Sequence, residues 1–361
     1  MTVPSSLAAG SDSRPPDFVD ALLDSLHLGR FVDQGLPVPV GRNQNHRGTT
    51  ESGQDVFVKV LVGEPRELAG RLRRALDFQR IADGVAVPGL RAPRCLGHDP
   101  ARGVLVFELL RDARSGRELL ADQEFDADLA ARSGSAIGSL HAMVADPAID
   151  TSTPHLPPVE WLRALPQHVF DNSSGAALRA WRLMQRDRAL VDALVALRAG
   201  DERTAFVPAH CDLRLDQLLR CDGELYVIDW EEFRLADPAR DVGAFVGEWL
   251  HHAVFSIRLA GDEDAPEVRL SGDDIRAAIA TAIDGFRPTV ASFYAAYRAR
   301  RPVGDGFAAR CCAYAGWHLL DRMLAATERQ ATLGAVERAG AGIGRTLVCA
   351  PDRFVDTVGL G

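Results

Sequence analysis

The apolar spacing of this chain is mostly strand-like before about residue 110 and mostly helical from 126 onward, and that change restricts the fold more than any other feature. Before it, "VFVKV" (56–60) alternates around Phe57 and Lys59, and "LRAPRCLGHDPARGVLVFELL" offers two more strands about an Asp-Pro turn. One helix interrupts the strands: "EPRELAGRLRRALDFQRIA", with Pro65 in its first turn and Leu68, Leu72, Leu76 and Phe78 on an apolar side. From 126 onward the spacing is helical, in "DADLAARSGSAIGSLHAMV", in "GAALRAWRLMQRDRALVDALVALRAG" and from 273 to about 340. A small antiparallel sheet with one helix, followed by a mostly helical part, is an α+β layout.

We therefore expect a disordered tail at 1–17, a β-rich N-lobe at 18–110 and a larger helical C-lobe at 111–361. In the N-lobe, a strand at about 36–40 leads into "GRNQNHRGTTESG", read as a long polar hairpin tip. In the C-lobe, "FVPAHCDLRLDQLLRCDGELYVIDWEEF" is the one strand-rich island, with "CDGE" as its turn. The segment 260–272 reads as an exposed loop and the stripe around Trp317, Leu320 and Met323 as core. His251 and His252 point different ways on a helix, which is poor metal geometry, and are expected at the surface.

Composition excludes several function classes. With 361 residues, 47% of them hydrophobic, the chain can bury one large core or two smaller ones. No apolar run approaches the roughly 20 residues of a membrane span, and the first twenty residues hold no apolar signal core, so a cytoplasmic protein with no membrane partner is expected. A net charge of −9 argues against nonspecific nucleic-acid binding and leaves room for an acidic groove. The six cysteines form no C-x-x-C pair and read as reduced structural thiols. Of 41 basic side chains, 40 are arginine and one, Lys59, is lysine. A site that needs a compact ammonium on a flexible stem accounts for such an exception.

Lys59 is one of four features that line up in chain order. Upstream lies the polar segment with Asn43, Asn45 and Gly48; downstream come His210-x-Asp212 with Gln217, and an apolar strand that runs into Asp229. Backbone N–H groups of a glycine-containing loop can approach phosphate oxygens, and a lysine can neutralise the α- and β-phosphates. Two oxygen ligands at strand ends can hold magnesium, here Gln217 and Asp229, and a carboxylate facing an acceptor hydroxyl, here Asp212, can take its proton. The two asparagines also suit simple turn chemistry.

At "HCDLRLDQLL…YVIDWE…DPARDVG" the chain resembles the catalytic and metal-binding segments of the aminoglycoside phosphotransferase and choline kinase-like family, whose usual pattern is H-G-D-x-x-x-x-N. The resemblance implies a two-lobe protein kinase-like fold, with ATP and Mg2+ as cofactors and an alcohol as acceptor. It further implies that Glu108 and Leu110 offer backbone groups to adenine, that His210 supports the catalytic loop and that Asp241 braces it. Arg214 and Asp216 are then either solvated loop charges or acceptor contacts.

Three departures from the pattern carry expectations of their own. Cys211 replaces glycine and is expected at negative φ. Gln217 replaces asparagine and must bend to reach the same metal. No glutamate stands clearly on the N-lobe helix to pair with Lys59, so Asp77, 18 residues after the lysine, is the expected partner. The "GRNQNHRGTTESG" segment, with "VFVKV" and "HCDLRLDQ", more narrowly resembles the kinase subunit of class V lanthipeptide (thioamitide-type) biosynthesis. That resemblance implies Ser/Thr hydroxyls of a ribosomal precursor peptide as acceptors and a separate lyase as partner. A small-molecule kinase of the aminoglycoside or aminoalcohol type is the alternative, and a nucleotide-binding pseudokinase scaffold is the third.

Overall fold

The computed structural model describes residues 15–33, 42–84, 87–154, 157–201, 205–259, 272–328 and 330–361. The strand expected at 36–40, most of the tail expected at 1–17 and nearly all of the loop expected at 260–272 lie outside them. In chain order come α1 (Asp17–Ser25), β1 (Phe31–Asp33), β2 (Gln44–Thr50), β3 (Asp55–Val60), α2 (Pro65–Gly84), β4 (Cys95–Asp99), β5 (Val104–Glu108) and β6 (Arg114–Ser115). Helices α3 (Gly116–Ala121), α4 (Ala127–His141), α5 (Gln167–Asn172), α6 (Gly175–Arg186) and α7 (Arg188–Asp201) follow. Short strands β7 (Val207–Ala209), β8 (Leu218–Cys221), β9 (Glu224–Val227) and β10 (Arg234–Ala236) precede α8 (Ala239–Leu259), α9 (Gly272–Arg300), α10 (Phe307–Thr327) and α11 (Ala335–Cys349).

These elements form two compact units. The first holds the described residues of 1–86, 91–114 and 219–231; the second holds 87–90, 115–218 and 232–361. The hairpin that runs into Asp229 thus packs with the first unit, far along the chain from the rest of it.

In the first unit an antiparallel sheet runs in the order β1-β2-β3-β5-β4. Alternation in β3 buries Val56, Val58 and Val60 on one face, where Val19 and Leu23 of α1 meet them. Phe57 and Lys59 therefore share the other face, where Leu72 and Ala75 of α2 pack on Leu61 and Leu105. The predicted long polar hairpin tip is corrected here. Its residues 44–50 are strand β2, with Asn45 opposite Lys59 and Gly48 opposite Val56. The turn is confined to Glu51–Gln54, with Gly53 at φ +82° and Thr50 N–H donating to the Gln54 carbonyl. Polar residues alternating on a partly exposed strand look like a loop when only composition is read. At the far end of the unit, Asp222 and Gly223 both take positive φ, as a two-residue hairpin turn between β8 and β9 requires.

In the second unit the helices approach closely where glycine allows it. A Cβ on Gly134 of α4 would collide with the Phe293 carbonyl of α9, and one on Gly138 would lie 2.8 Å from the Tyr297 carbonyl. This contact brings His141, at the end of α4, against Tyr297. Likewise a Cβ on Gly247 of α8 would meet the His318 side chain of α10 at 2.6 Å, which sets Glu248 beside that histidine. Trp317, Leu320 and Met323 are buried, as their spacing indicates. The six cysteines are free thiols. No described helix is long and apolar enough to cross a membrane.

Candidate active site

The first unit gathers its polar site around Lys59. The lysine donates to Asp229 Oδ1 at 2.6 Å and pairs with Glu231 Oε1. Burial alone would push its pKa down, yet the Asp229 and Glu231 charges outweigh burial and hold it above the usual lysine value. Asp229, two residues past the end of β9, sits at φ +70° with its side chain 27% exposed. The predicted helix partner Asp77 is corrected: it lies 3.8 Å from Arg80, its neighbour one turn on, while the carboxylates that reach Lys59 are Asp229 and Glu231. From α2 comes a cation instead, Arg71, 2% exposed, which closes Nε at 2.7 Å and Nη2 on Glu231 Oε2.

The remaining residues expected at the nucleotide divide between frame and open positions. Asn43 donates to Glu231 Oε1 at 2.9 Å and accepts from Arg71 Nη2 at 2.7 Å, so its amide is part of this frame. Asn45 shares the Lys59 face of the sheet, and its Oδ1 is buried with no hydrogen-bond partner. Gly48 lies further along β2. Glu108 ends β5; its N–H goes to the Arg94 carbonyl and its carboxylate to the Arg94 N–H, while Leu110 lies just past the strand end.

The second unit holds the loop after β7. Asp241, at 0% exposure near the start of α8, accepts the N–H groups of His210 and Cys211 at 2.7 Å each, and His141 Nε2 lies 3.0 Å from its Oδ2. The far ring nitrogen of His141 is 3.0 Å from the Tyr297 hydroxyl. Burial would raise the Asp241 pKa, but the His141 hydrogen bond and the neighbouring imidazoles hold it below the ordinary carboxylate value. Clamped in this way, Cys211 adopts φ +65°, so the expectation of negative φ is corrected. Its thiol packs against Val207, Ala209 and Ala236, and burial foremost pushes its pKa far up, which leaves it unreactive. His210 is fully buried, with Nδ1 facing the Asp212 N–H at 3.3 Å.

Asp212 follows, its side chain 34% exposed. Arg214 Nη1 donates to Asp212 Oδ2 at 2.9 Å and Arg214 Nε to Asp216 Oδ1 at 3.0 Å. Gln217, 2% exposed, folds back on the loop: Nε2 donates to Asp212 Oδ2 at 3.2 Å, and Oε1 accepts the Arg214 N–H at 3.1 Å. The extra methylene makes that double contact possible. Glu248 accepts the Leu215 N–H at 3.2 Å and lies 2.8 Å from His318 Nε2. Burial opposes ionisation of Glu248, and the His318 hydrogen bond with the nearby arginines overcomes it, so its pKa is held low. His251 and His252 are corrected from the surface expectation: both are partly buried, His251 against Phe255, and burial pushes the His251 pKa down to about 4 and lowers that of His252.

Sequence reasoning passed over Glu231, Arg71, Glu248, His318 and Tyr297, and gave His141 no role. Two of them did carry a signal. Arg71 falls on the apolar side of α2 beside Leu72, and Glu248 is the only charge within "VGAFVGEWL". A lone charge in an apolar stripe needs a buried partner.

An antiparallel-sheet unit with a helix packed on each face, and a helical unit whose loop after β7 is clamped by an aspartate, define the protein kinase-like class of α+β fold. The chain belongs to the phosphotransferase enzyme family, whose model matches residues 37–275. It is a phosphotransferase of that family. Among solved structures it is similar to a choline/ethanolamine kinase family protein from Mesorhizobium loti, with TM-score 0.54, 16% identity, and 96% of this chain and 99% of that one covered. An amicoumacin kinase solved with AMP-PNP and Ca2+ matches with TM-score 0.53 and 14% identity over 91% and 92% of the two chains. A glucosamine kinase solved with glucosamine, ADP and phosphate matches with TM-score 0.50 and 18% identity over 86% and 81%. The comparison with curated proteins finds no match.

Proposed function

We propose that the chain moves the γ-phosphoryl group of ATP to an alcohol hydroxyl of a small molecule, with Asp212 as general base. The observation that carries the proposal is the clamp of Asp241 on His210 and Cys211, which fixes the backbone two residues ahead of a carboxylate that stays solvent-accessible. Asp212 orients the hydroxyl and accepts its proton as the new O–P bond forms; the bond from the γ-phosphorus to the β–γ bridging oxygen breaks, and ADP leaves with that electron pair. Lys59 anchors the α- and β-phosphates, and Asn45 is a further nucleotide contact in this reading. Backbone groups of Glu108 and Leu110 are the adenine contacts in this reading.

Asp229 and Gln217 each offer an oxygen donor of the kind a hard cation takes, and magnesium bound there would neutralise phosphate charge. Among the described residues no cluster of three or more His, Cys, Asp or Glu side chains is arranged to hold a metal.

The solved neighbours, named for kinases of choline or ethanolamine, amicoumacin and glucosamine, favour a small acceptor. The second acceptor we propose is a Ser/Thr hydroxyl of a ribosomal precursor peptide, followed by elimination in a separate lyase, and the likeness of "GRNQNHRGTTESG" favours it. Intact-mass analysis after incubation with ATP and magnesium separates them, using a panel of amino alcohols, aminosugars and aminoglycosides beside a candidate precursor peptide. One added phosphate on a small molecule, lost in Asp212→Asn, supports the first reading; phosphate on the peptide alone supports the second. Unchanged turnover in Asp212→Asn would overturn the assignment of the base.

A further inference from the structure

Lys59 is the chain's only lysine, and on the phosphate-anchor reading above its ammonium must keep one place while nucleotide and metal come and go. Its second anchor is Glu231, two residues after Asp229. Glu231 Oε1 receives Lys59 and Asn43, and Oε2 receives the Nε and Nη2 of Arg71. Arg71 spends its other contacts on the Val62 carbonyl at 2.9 Å and on Asn43 Oδ1 at 2.7 Å. A guanidinium buried this deeply, with its fork closed on one carboxylate, is a fixed strut and not a surface charge. Other side chains of α2 grip the same turn: Arg74 Nε donates to the Glu231 carbonyl at 2.6 Å, and Phe78 stacks on Trp230 with ring centroids 3.5 Å apart.

We infer that Arg71 is a positioning residue for phosphoryl transfer: it fixes Glu231, and Glu231 holds Lys59 in place when Asp229 turns to the metal. The ion pair that steadies the phosphate lysine is thus inverted in this chain. The helix contributes the cation, and the carboxylate comes from the segment that carries the metal ligand.

The test is a double-mutant cycle of Arg71→Met and Glu231→Gln, with Arg71→Lys beside it. Because Lys59 is the sole lysine, an amine-acylating reagent followed by peptide mass analysis reads that one side chain without ATP or acceptor. Arg71→Met is expected to speed acylation of Lys59 to the level of Glu231→Gln, with no further gain in the double variant. In the same proteins, kcat/KM for ATP hydrolysis without acceptor is expected to fall about 10- to 100-fold in Arg71→Met, the range a lost charge-assisted hydrogen bond converts to. The fall is expected to vanish in the Glu231→Gln background. Arg71→Lys keeps the charge without the fork and stays nearer to Met than to wild type.

Additive effects in the two backgrounds, or wild-type acylation and kcat/KM in Arg71→Met, overturn the inference. A wild-type chain that neither binds nor hydrolyses MgATP would sink the phosphotransferase mechanism instead, and the acylation cycle would still decide whether Arg71 acts on Lys59 through Glu231.

Discussion

Asp241→Asn tests the clamp that holds the loop after β7. In the native chain one carboxylate faces three donors: the N–H groups of His210 and Cys211 at 2.7 Å and the His141 ring at 3.0 Å. Asparagine keeps one acceptor oxygen and turns an NH2 group towards at least one of those donors. One charge-assisted bond is then lost outright and the other two lose their charge, a cost of about 3 kcal/mol when each such bond contributes about 1.5–3 kcal/mol. For a unit of this size, that lowers the melting temperature by roughly 6–12 °C. The loop backbone then drifts at Asp212, and a misplacement of about 1 Å costs at least about 100-fold in turnover. Thermal melts followed by circular dichroism, with ADP release measured well below the new midpoint, read the two effects separately. Tyr297→Phe is the control, since it removes the hydroxyl that meets the outer His141 nitrogen and Arg301 while Asp241 keeps its three donors, and should cost about 1–2 kcal/mol with turnover largely kept. An Asp241→Asn protein that melts with wild type and turns over at the wild-type rate would refute the clamp.

Two further predictions concern pH and the catalytic loop. His251 stays neutral in the folded chain down to about pH 4, because burial lowers its pKa, whereas in the unfolded chain it takes up a proton near pH 6.5; stability must therefore fall as pH drops through that window. By pH 5 the loss is about 1–2 kcal/mol after allowance for partial exposure, so the urea midpoint should drop between pH 7 and 5 and drop less in His251→Leu, while equal drops would deny it. Gln217→Leu leaves the Arg214 N–H without its acceptor and should lower stability by about 1–2 kcal/mol while raising the magnesium concentration needed for half-maximal turnover. An unchanged magnesium titration would remove Gln217 from the metal's ligands.

The sequence was most legible where one pattern answered one physical demand. Alternation in β3 announced which face Lys59 shares, and "CDGE" announced a turn that only positive φ could close, since each follows from local sterics. Legibility failed where the determinant was a distant partner. Nothing near Arg71 or Glu231 in the chain links them across 160 positions, so the lysine's partner was sought at the usual helix spacing and placed on Asp77. The polar residues of β2 failed for another reason: a strand whose side chains are mostly exposed or half-buried has no apolar alternation to display.

Cys211 shows why a missing glycine did not dismantle the loop. A left-handed conformation costs an L-residue about 1–2 kcal/mol, so a site with weak local bonding would select glycine or relax to negative φ. Here two successive backbone N–H groups, those of the peptides before and after the His210 α-carbon, end on a single buried carboxylate, and each such bond contributes about as much as the strain costs. The thiol recovers part of the remainder by packing on Val207, Ala209 and Ala236. Asp229 takes φ +70° as well, with its carboxylate tied to Lys59. Asp212 and Asp229, the two aspartates of the proposed reaction, are therefore presented from, or next to, backbone that only their bonded surroundings keep in place, and on that proposal the partners Asp241 and Glu231 matter as much as the residues they hold.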